Sequence, residues 1–382
     1  MKREKDPACR NVLIYSNKVS DYEYSPSHPF KPARARMMLE LLNRYSLFNR
    51  NESIIKEPQA LKEKHLFYFH TYDYIQVLKK CDRGEYRERW PMHGLGTSDN
   101  PVFKGVYDYS VKSAGGTLTG AELILGNRAR MVFNPLGGFH HAMRDRAEGF
   151  CYINDLVIAI IHLVNSGKRV AYVDIDVHHG DGVQEAFYDT DRVLTISIHE
   201  SGYTLFPGTG FEYETGEGEG KGYNVNIPLL NYSDDEVYLY AFNKIVPKLL
   251  EKFRPDVIVA QLGPDAHRTD PLANLNITSN AYGDVVKTIN EFAPFIIATG
   301  GGGYNPNKAA SMWALAWANL TGQKPEDLYA GAVGGMMYGP EKDAGSLYDE
   351  PFVLKGTFKD QCMDYAKKIV EYHKNNTFHF HS

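Results

Sequence analysis

The sequence predicts an α/β fold built around a mostly parallel sheet. Short apolar runs alternate along the chain with longer helical patterns. The runs are continuous in Val and Ile, as in strands covered on both faces rather than one. Clusters of His, Asp, Gly and Tyr follow the runs directly, and ligands of open α/β sheets bind beyond the carboxyl ends of the strands.

In chain order the candidate strands are NVLIYS (11–16), RMVF (130–133), RVAYVDID (169–176), VLTISIH (193–199), DVIVAQL (256–262) and FIIATG (295–300). The candidate helices are 33–45, 106–125, 154–164, 234–253, 280–292 and 308–320. NPLGGFHHA follows the second strand, DVHHGDG the third, GPDAH the fifth and GGGGY the sixth, so four strands deliver polar groups to one sheet edge. No Ser- or Pro-rich linker, internal repeat or low-complexity tract interrupts the pattern, which favours one domain over 1–382. GEGEGKG (216–222) reads as a surface loop, and the terminal FHFHS as a frayed tail.

Of the 382 residues, 43% are hydrophobic and 23% charged, which suits a globular enzyme with a large core. A net charge of −5 offers no basic excess, so a nucleic-acid partner is not expected. Cys9, Cys81, Cys151 and Cys362 are scattered without a CxxC pair and read as reduced thiols. The N-terminus lacks an apolar signal region, and no run reaches about 18 apolar residues, so no membrane span is expected and a cytoplasmic setting is.

The segment YVDIDVHHGDG (172–182) carries Asp174, Asp176 and His178 at alternate positions of an apolar strand. Alternate residues share one face, so two carboxylates and an imidazole would line up in the interior. Leaving such groups uncompensated costs several kcal/mol each, on the order of 2–7 for a neutral polar group and more for a charge. A salt bridge, a hydrogen-bond network or a metal ion would each serve. A catalytic zinc site takes three protein ligands and keeps one position open; Asp176 and His178 would supply two, and Asp265 is the best third candidate. Buried Asp–His hydrogen bonds are also common, and Asp265 alone would suit a helix cap or loop.

His140 and His141 follow a Gly-Gly turn and suit proton transfer near neutral pH, although an isolated pair would more often be one core and one surface histidine. Asp174 and Asp181 could each accept a ring N–H from one of them. GGGGY (300–304) has no GxGxxG or GxxxxGK[ST] spacing, which argues against a nucleotide site. Its glycines permit close backbone approach, and the Tyr304 hydroxyl could donate to a developing oxyanion.

Taken together, HPFKPARARM (28–37), NPLGGFHHA (134–142), GFCYINDLVIAI (149–160), YVDIDVHHGDGVQEAFY (172–188), FPGTG (206–210) and GGGGYN (300–305) resemble the zinc-dependent histone deacetylase family, from about Val12 to Leu320. GPDAHRTDPLANLNIT (263–278) is similar to its bacterial branch of acetoin utilisation deacetylases. The resemblance implies the arginase–deacetylase fold with an eight-stranded sheet, a catalytic core over about 12–320 and a C-terminal extension over 321–382. It implies one zinc ion on Asp176, His178 and Asp265. It makes His141, paired with Asp181, the general base and acid. His140, paired with Asp174, becomes the more buried partner, and Tyr304 polarises the substrate carbonyl. A structural potassium ion would use Asp174, the main chain of Asp176 and His178, and Ser197 with Ile198. A second monovalent site would use the main chain of Phe187, Thr190, Val193 and Tyr223. Phe150 and Phe206 would flank a tunnel with Gly149 and Gly302 in its walls. Asp99 would grip substrate at the rim, and Arg34 would sit near an inner acetate channel.

The implied reaction is removal of acetyl groups from lysine side chains of proteins or peptides, with small acetylated amines such as acetylpolyamines as the alternative substrates. Leu272 stands where acetylpolyamine-selective relatives carry an acid, which speaks against that alternative. Leu205 stands where a second aromatic is common, and Pro264 replaces a small residue before Asp265. An arginase-like dimanganese enzyme is a rival on the same fold, but in DAHRTD (265–270) the second Asp falls one residue late. A non-catalytic acetyl-lysine reader is a rival of another class, and readers usually lose a ligand or the tyrosine. The oligomeric state is not readable from the sequence.

Overall fold

The structure is a computed structural model that describes residues 10–324 and 346–381. Eight strands form one sheet: β1 (Arg10–Ile14), β2 (Ser53–Lys56), β3 (Ala129–Asn134), β4 (Val170–Asp174), β5 (Val193–Glu200), β6 (Asn224–Leu229), β7 (Val257–Gln261) and β8 (Phe295–Thr299). Their order is β2-β1-β3-β8-β7-β4-β5-β6, and every pairing is parallel. The expected "mostly parallel" sheet is wholly parallel.

Six of the strands match the expected runs. β2 and β6 were not expected. SIIK is a four-residue edge strand, and NVNIPL alternates Asn with apolar residues, so neither shows a continuous apolar run. In the middle of the sheet, β4 and β7 are buried at every residue. Each fully buried Val or Ile there contributes roughly 1.5–3 kcal/mol, which holds the strands without any alternation.

The strand order contains a reversal beside β4. From β4 the chain moves outward to β5, through the helix Asp181–Phe187; from the adjacent β7 it moves the other way to β8, through Ser279–Phe292. Parallel crossovers are right-handed, so connections running in opposite directions lie on opposite faces of the sheet. Between β4 and β7 the loops at the carboxyl edge therefore part and leave a crevice.

The helix Val106–Leu125 packs on β1, β3 and β8. A Cβ at Gly116 would meet the side chains of Asn134 and Ile14, so this contact requires glycine. Pro306–Thr321 starts with Asn305 accepting from the Lys308 N–H and Pro306 in the first turn, and stops at Gly322 in left-handed geometry. Of the extension expected over 321–382, the helix Thr357–Asn376 packs on Asp235–Phe253 and β6. The tail expected to fray instead forms a 3-10 turn over Phe378–His381, with the Phe380 ring seated where a Gly222 side chain would be. Cys81, Cys151 and Cys362 are free and buried, and Cys9 lies outside the described residues. No helix among the described residues is long and apolar enough to cross a membrane.

Candidate active site

β4 ends at Asp174, two residues earlier than expected, so Asp176 and His178 are placed by a turn and not by strand alternation. Two successive Asx turns do this: Asp176 N–H donates to Asp174 Oδ1 (3.1 Å), and His178 N–H donates to Asp176 Oδ1 (3.0 Å). Asp265 arrives from the loop after β7, across the crevice, and its Oδ1 accepts from Val177 N–H (2.8 Å). His178 Nδ1 then lies 3.1 Å from Asp176 Oδ1 and 3.0 Å from Asp265 Oδ2. Asp176 and Asp265 are 0% exposed and His178 is 8% exposed.

Neighbouring groups fix these side chains from behind. Asp176 Oδ2 accepts from Gln261 Nε2 (2.6 Å) and Gly302 N–H (2.8 Å). A Cβ at Gly302 would overlap Asp265 Oδ2, and one at Gly263 would overlap Asp176 Oδ2. Arg34, buried against Phe30 and Trp313, donates to the carbonyls of Gly301, Gly302 and Gly303, and so supports the glycine run from below.

The electrostatics of the trio call for a cation. Burial opposes charge on His178, but Asp176 and Asp265 outweigh it and push the imidazole up to about 10. Burial and the Asp176 charge push Asp265 up to about 7. Asp176 is held well below the carboxylate range, because His140 and His178 outweigh its burial. Two carboxylates thus converge on one imidazolium proton. Replacing that proton with a divalent ion leaves two oxygens and one nitrogen as donors, within 4.8 Å of one another, and the set fits a three-ligand site with an open position.

Each imidazole of the adjacent pair has its own carboxylate: His140 Nδ1 lies 2.8 Å from Asp174 Oδ2, and His141 Nδ1 lies 2.7 Å from Asp181 Oδ1. Both rings are buried, at 3% and 4% exposed, with His140 the deeper by a narrow margin. They nevertheless differ in charge. Burial disfavours the His140 cation, but Asp174 and Asp176 push it up to about 9. Burial and the neighbouring His140 push His141 down to about 4. At neutral pH one ring is cationic and its neighbour neutral.

Two aromatic rings stand over this floor. Phe206 meets His141 edge-on at 5.0 Å, and Phe150 meets Tyr304 at 5.6 Å. Tyr304 itself lies 6.3 Å from the His178 ring centroid, and burial raises its phenol well above the usual range. Gly149, with φ +50°, abuts the His141 ring, where no side chain would fit. Phe206 is 42% exposed and Leu272 37% exposed. Asp99 is exposed; its carbonyl accepts from His28, whose ring lies 4.6 Å from Phe150.

The sequence from 28 to 320 matches the model of the histone deacetylase domain. The chain belongs to the histone deacetylase family. It is 39% identical to the acetoin utilization protein AcuC of Bacillus subtilis over 82% of this chain and 83% of that protein. It is 39% identical to histone deacetylase RPD3 of Saccharomyces cerevisiae, over 80% of this chain and 70% of that one. The crystal structure of a histone deacetylase homologue from Aquifex aeolicus superposes with a TM-score of 0.82 at 34% identity, covering 94% of this chain and all of that one. A homologue solved in complex with SAHA matches at 33% identity, with a TM-score of 0.82 over 95% of this chain and 99% of that one. The family hydrolyses acetyl-lysine amides, and this chain is a hydrolase acting on amides.

The residues of the implied monovalent sites lie around the deacetylase centre and at the far end of the sheet. Asp174 Oδ2 already receives His140 and Tyr172, and Oδ1 receives Asp176 N–H, which leaves one lone pair. Ser197 pairs with Asp174 in register, Ile198 follows it in β5, and Ser197 Oγ lies 2.8 Å from His199 Nδ1. Phe187, Thr190 and Val193 line the turn into β5, and the Tyr223 carbonyl accepts from Thr195 N–H there. Sequence reasoning missed Gln261, Asp270, Tyr172 and Asp155. Asp270 accepts from Tyr304 N–H (2.6 Å), and Asp155 from Gly138 and Phe139 N–H before the histidine pair. A polar residue closing an otherwise apolar strand was the available signal for Gln261; the others carried none.

Proposed function

We propose that this protein is a zinc-dependent lysine deacetylase that removes acetyl groups from side chains of proteins or peptides and releases acetate. The observation that carries the reading is the convergence of Asp176, His178 and Asp265 beside a neutral, carboxylate-backed His141, between two aromatic rings. Asp176, His178 and Asp265 would hold the ion, which supplies Lewis-acid polarisation of the carbonyl and lowers the pKa of water.

The chain's own groups do the rest. Phe150 and Phe206 flank the methylene arm of acetyl-lysine, with Gly149 and Gly302 allowing close approach and Asp99 at the rim. His141 keeps Nδ1–H on Asp181, so its free Nε2 takes the proton of the attacking water. The same nitrogen returns a proton to the departing amine. The Tyr304 hydroxyl stays protonated and donates to the developing oxyanion. His140, cationic on Asp174, adds positive charge behind the reacting centre. One potassium ion beside Asp174 and Ser197 and another near Tyr223 complete the proposed cofactors.

Leu272 offers no carboxylate to a polyamine at the rim, which favours peptide substrates over acetylspermidine. A side-by-side assay on acetyl-lysine peptides and acetylspermidine, with and without a chelator, tests the reading. Preference for the peptide and loss of turnover with chelator are expected; chelator-resistant turnover, or preference for the polyamine, would overturn it.

A further inference from the structure

Asp349 lies beyond the stretch that matches the deacetylase domain, yet it sits among the loops that build the site. Its Oδ2 is 2.8 Å from His267 Nε2 and accepts from Ser279 N–H (2.8 Å), and its Oδ1 accepts from Lys308 Nζ (2.6 Å). Asp349 N–H in turn donates to Ser279 Oγ (2.8 Å). The tautomer of His267 follows from the network: Thr269 N–H donates to Nδ1 (3.2 Å), so Nε2 carries the proton toward Asp349.

These bonds close a ring. From Asp349 it runs through His267 to Thr269, whose Oγ1 lies 2.9 Å from His267 Nδ1 and accepts from Asn305 Nδ2 (3.1 Å). Asn305 caps the helix that carries Lys308, and Lys308 returns to Asp349. Two loops are thereby tied to one carboxylate. One is the loop of Asp265, which also holds Asp270; the other is the turn that presents Tyr304, whose N–H rests on Asp270. His267 is 3% exposed and paired on both nitrogens, so it transmits position rather than contacting solvent or substrate.

We propose that Asp349, contributed from outside the family domain, is a positioning residue that acts through His267 to set Asp265 and Tyr304 relative to each other. This rests on the reading of Asp265 as a metal ligand. The test is a double-variant cycle with Asp349→Ala, His267→Ala and the pair, plus Asp349→Asn, which keeps an acceptor and the side-chain shape. Two readouts are taken on the full chain: the rate at which zinc passes to a chromophoric chelator, and kcat and KM on an acetyl-lysine peptide. Asp349→Ala is expected to release zinc about tenfold faster and to lower kcat about tenfold with KM within twofold. In the His267→Ala background the same change is expected to add less than twofold, with Asp349→Asn intermediate. Parent-like zinc release and kcat in Asp349→Ala, or equal losses in both backgrounds, would overturn the proposal. Should Asp349→Ala not fold, Asp349→Asn against His267→Gln decides by the same criteria. A parent that binds zinc but turns over no acetylated substrate would instead contradict the deacetylase reading, and the zinc-release cycle would still stand as the test of Asp349.

Discussion

Replacing Asp176 with Asn removes a charge while keeping the shape, and the structure sets what that costs. Asp176 accepts on both oxygens: Oδ2 from Gln261 Nε2 and Gly302 N–H, Oδ1 from His178 N–H, with the converging donor set beyond. An Asn amide must turn its NH2 toward one side or the other. Toward Oδ2 it faces two donors, and Gln261 cannot flip to receive it because Gln261 Oε1 already accepts from Gly263 N–H (2.7 Å). Toward Oδ1 it presents hydrogens to His178 N–H and to the cation. Hydrogen bonds to charged groups contribute about 1.5–3 kcal/mol each. Losing one such bond together with an anionic ligand amounts to about 3–4 kcal/mol, on the order of several hundred-fold in metal affinity at 1.36 kcal/mol per factor of ten. After dialysis against a weak chelator, elemental analysis should find close to one zinc in the parent and under about a tenth as much in the variant. Thermal melts of the two metal-free proteins control for folding. A variant that keeps a parent-like zinc load and affinity would refute the ligand assignment.

Further outcomes are expected from the same geometry. Tyr304→Phe should lower kcat by roughly 10²–10³ with unchanged zinc content, as for loss of one oxyanion donor; unchanged kcat would remove the tyrosine from that role. Phe206→Ala, at an exposed wall, should raise KM about tenfold and leave kcat within about threefold, as expected for losing an aromatic contact of about 1–1.5 kcal/mol; steady-state kinetics on an acetyl-lysine peptide check this. The pH profile follows from the histidine pair. His140, raised above its unfolded value to about 9, contributes stability below about 6.5 that is lost as pH rises through 9. His141, depressed to about 4, contributes stability above about 6.5 that is lost as pH falls toward 4. With zinc saturating, kcat/KM should be level across neutral pH and fall on the alkaline side as His140 loses its proton, below about 9 because the ion offsets the Asp176 charge that helps hold that proton, and Asp174→Asn should move this limb further down. An alkaline midpoint unmoved by Asp174→Asn would mean that another group titrates there.

How far the sequence carried the fold depended on how burial is distributed. The central strands are apolar at every position but the last, so β4, β7 and β8 stand out, whereas β2 is short and at an edge and β6 alternates Asn with apolar residues. The helix Thr357–Asn376 went unread because its apolar face is narrow: Cys362, Ala366, Ile369 and Val370 are buried amid many charges. At the site, residue types that announce chemistry were readable, and their partners were not. Asp176, His178 and Asp265 could be named, but the turn that places the first two could not, because strand alternation and two Asx turns give the same spacing of polar residues. Gln261, Asp270 and Asp349 act from elsewhere in the chain, through contacts that only the folded sheet edge creates.

The most direct test is to strip the protein of metal and add zinc back in sub-stoichiometric steps while following turnover of an acetyl-lysine peptide. Activity should rise linearly and level off at one zinc per chain. Turnover by the metal-free protein, or a plateau only at two ions per chain, would contradict a centre built on Asp176, His178 and Asp265 alone.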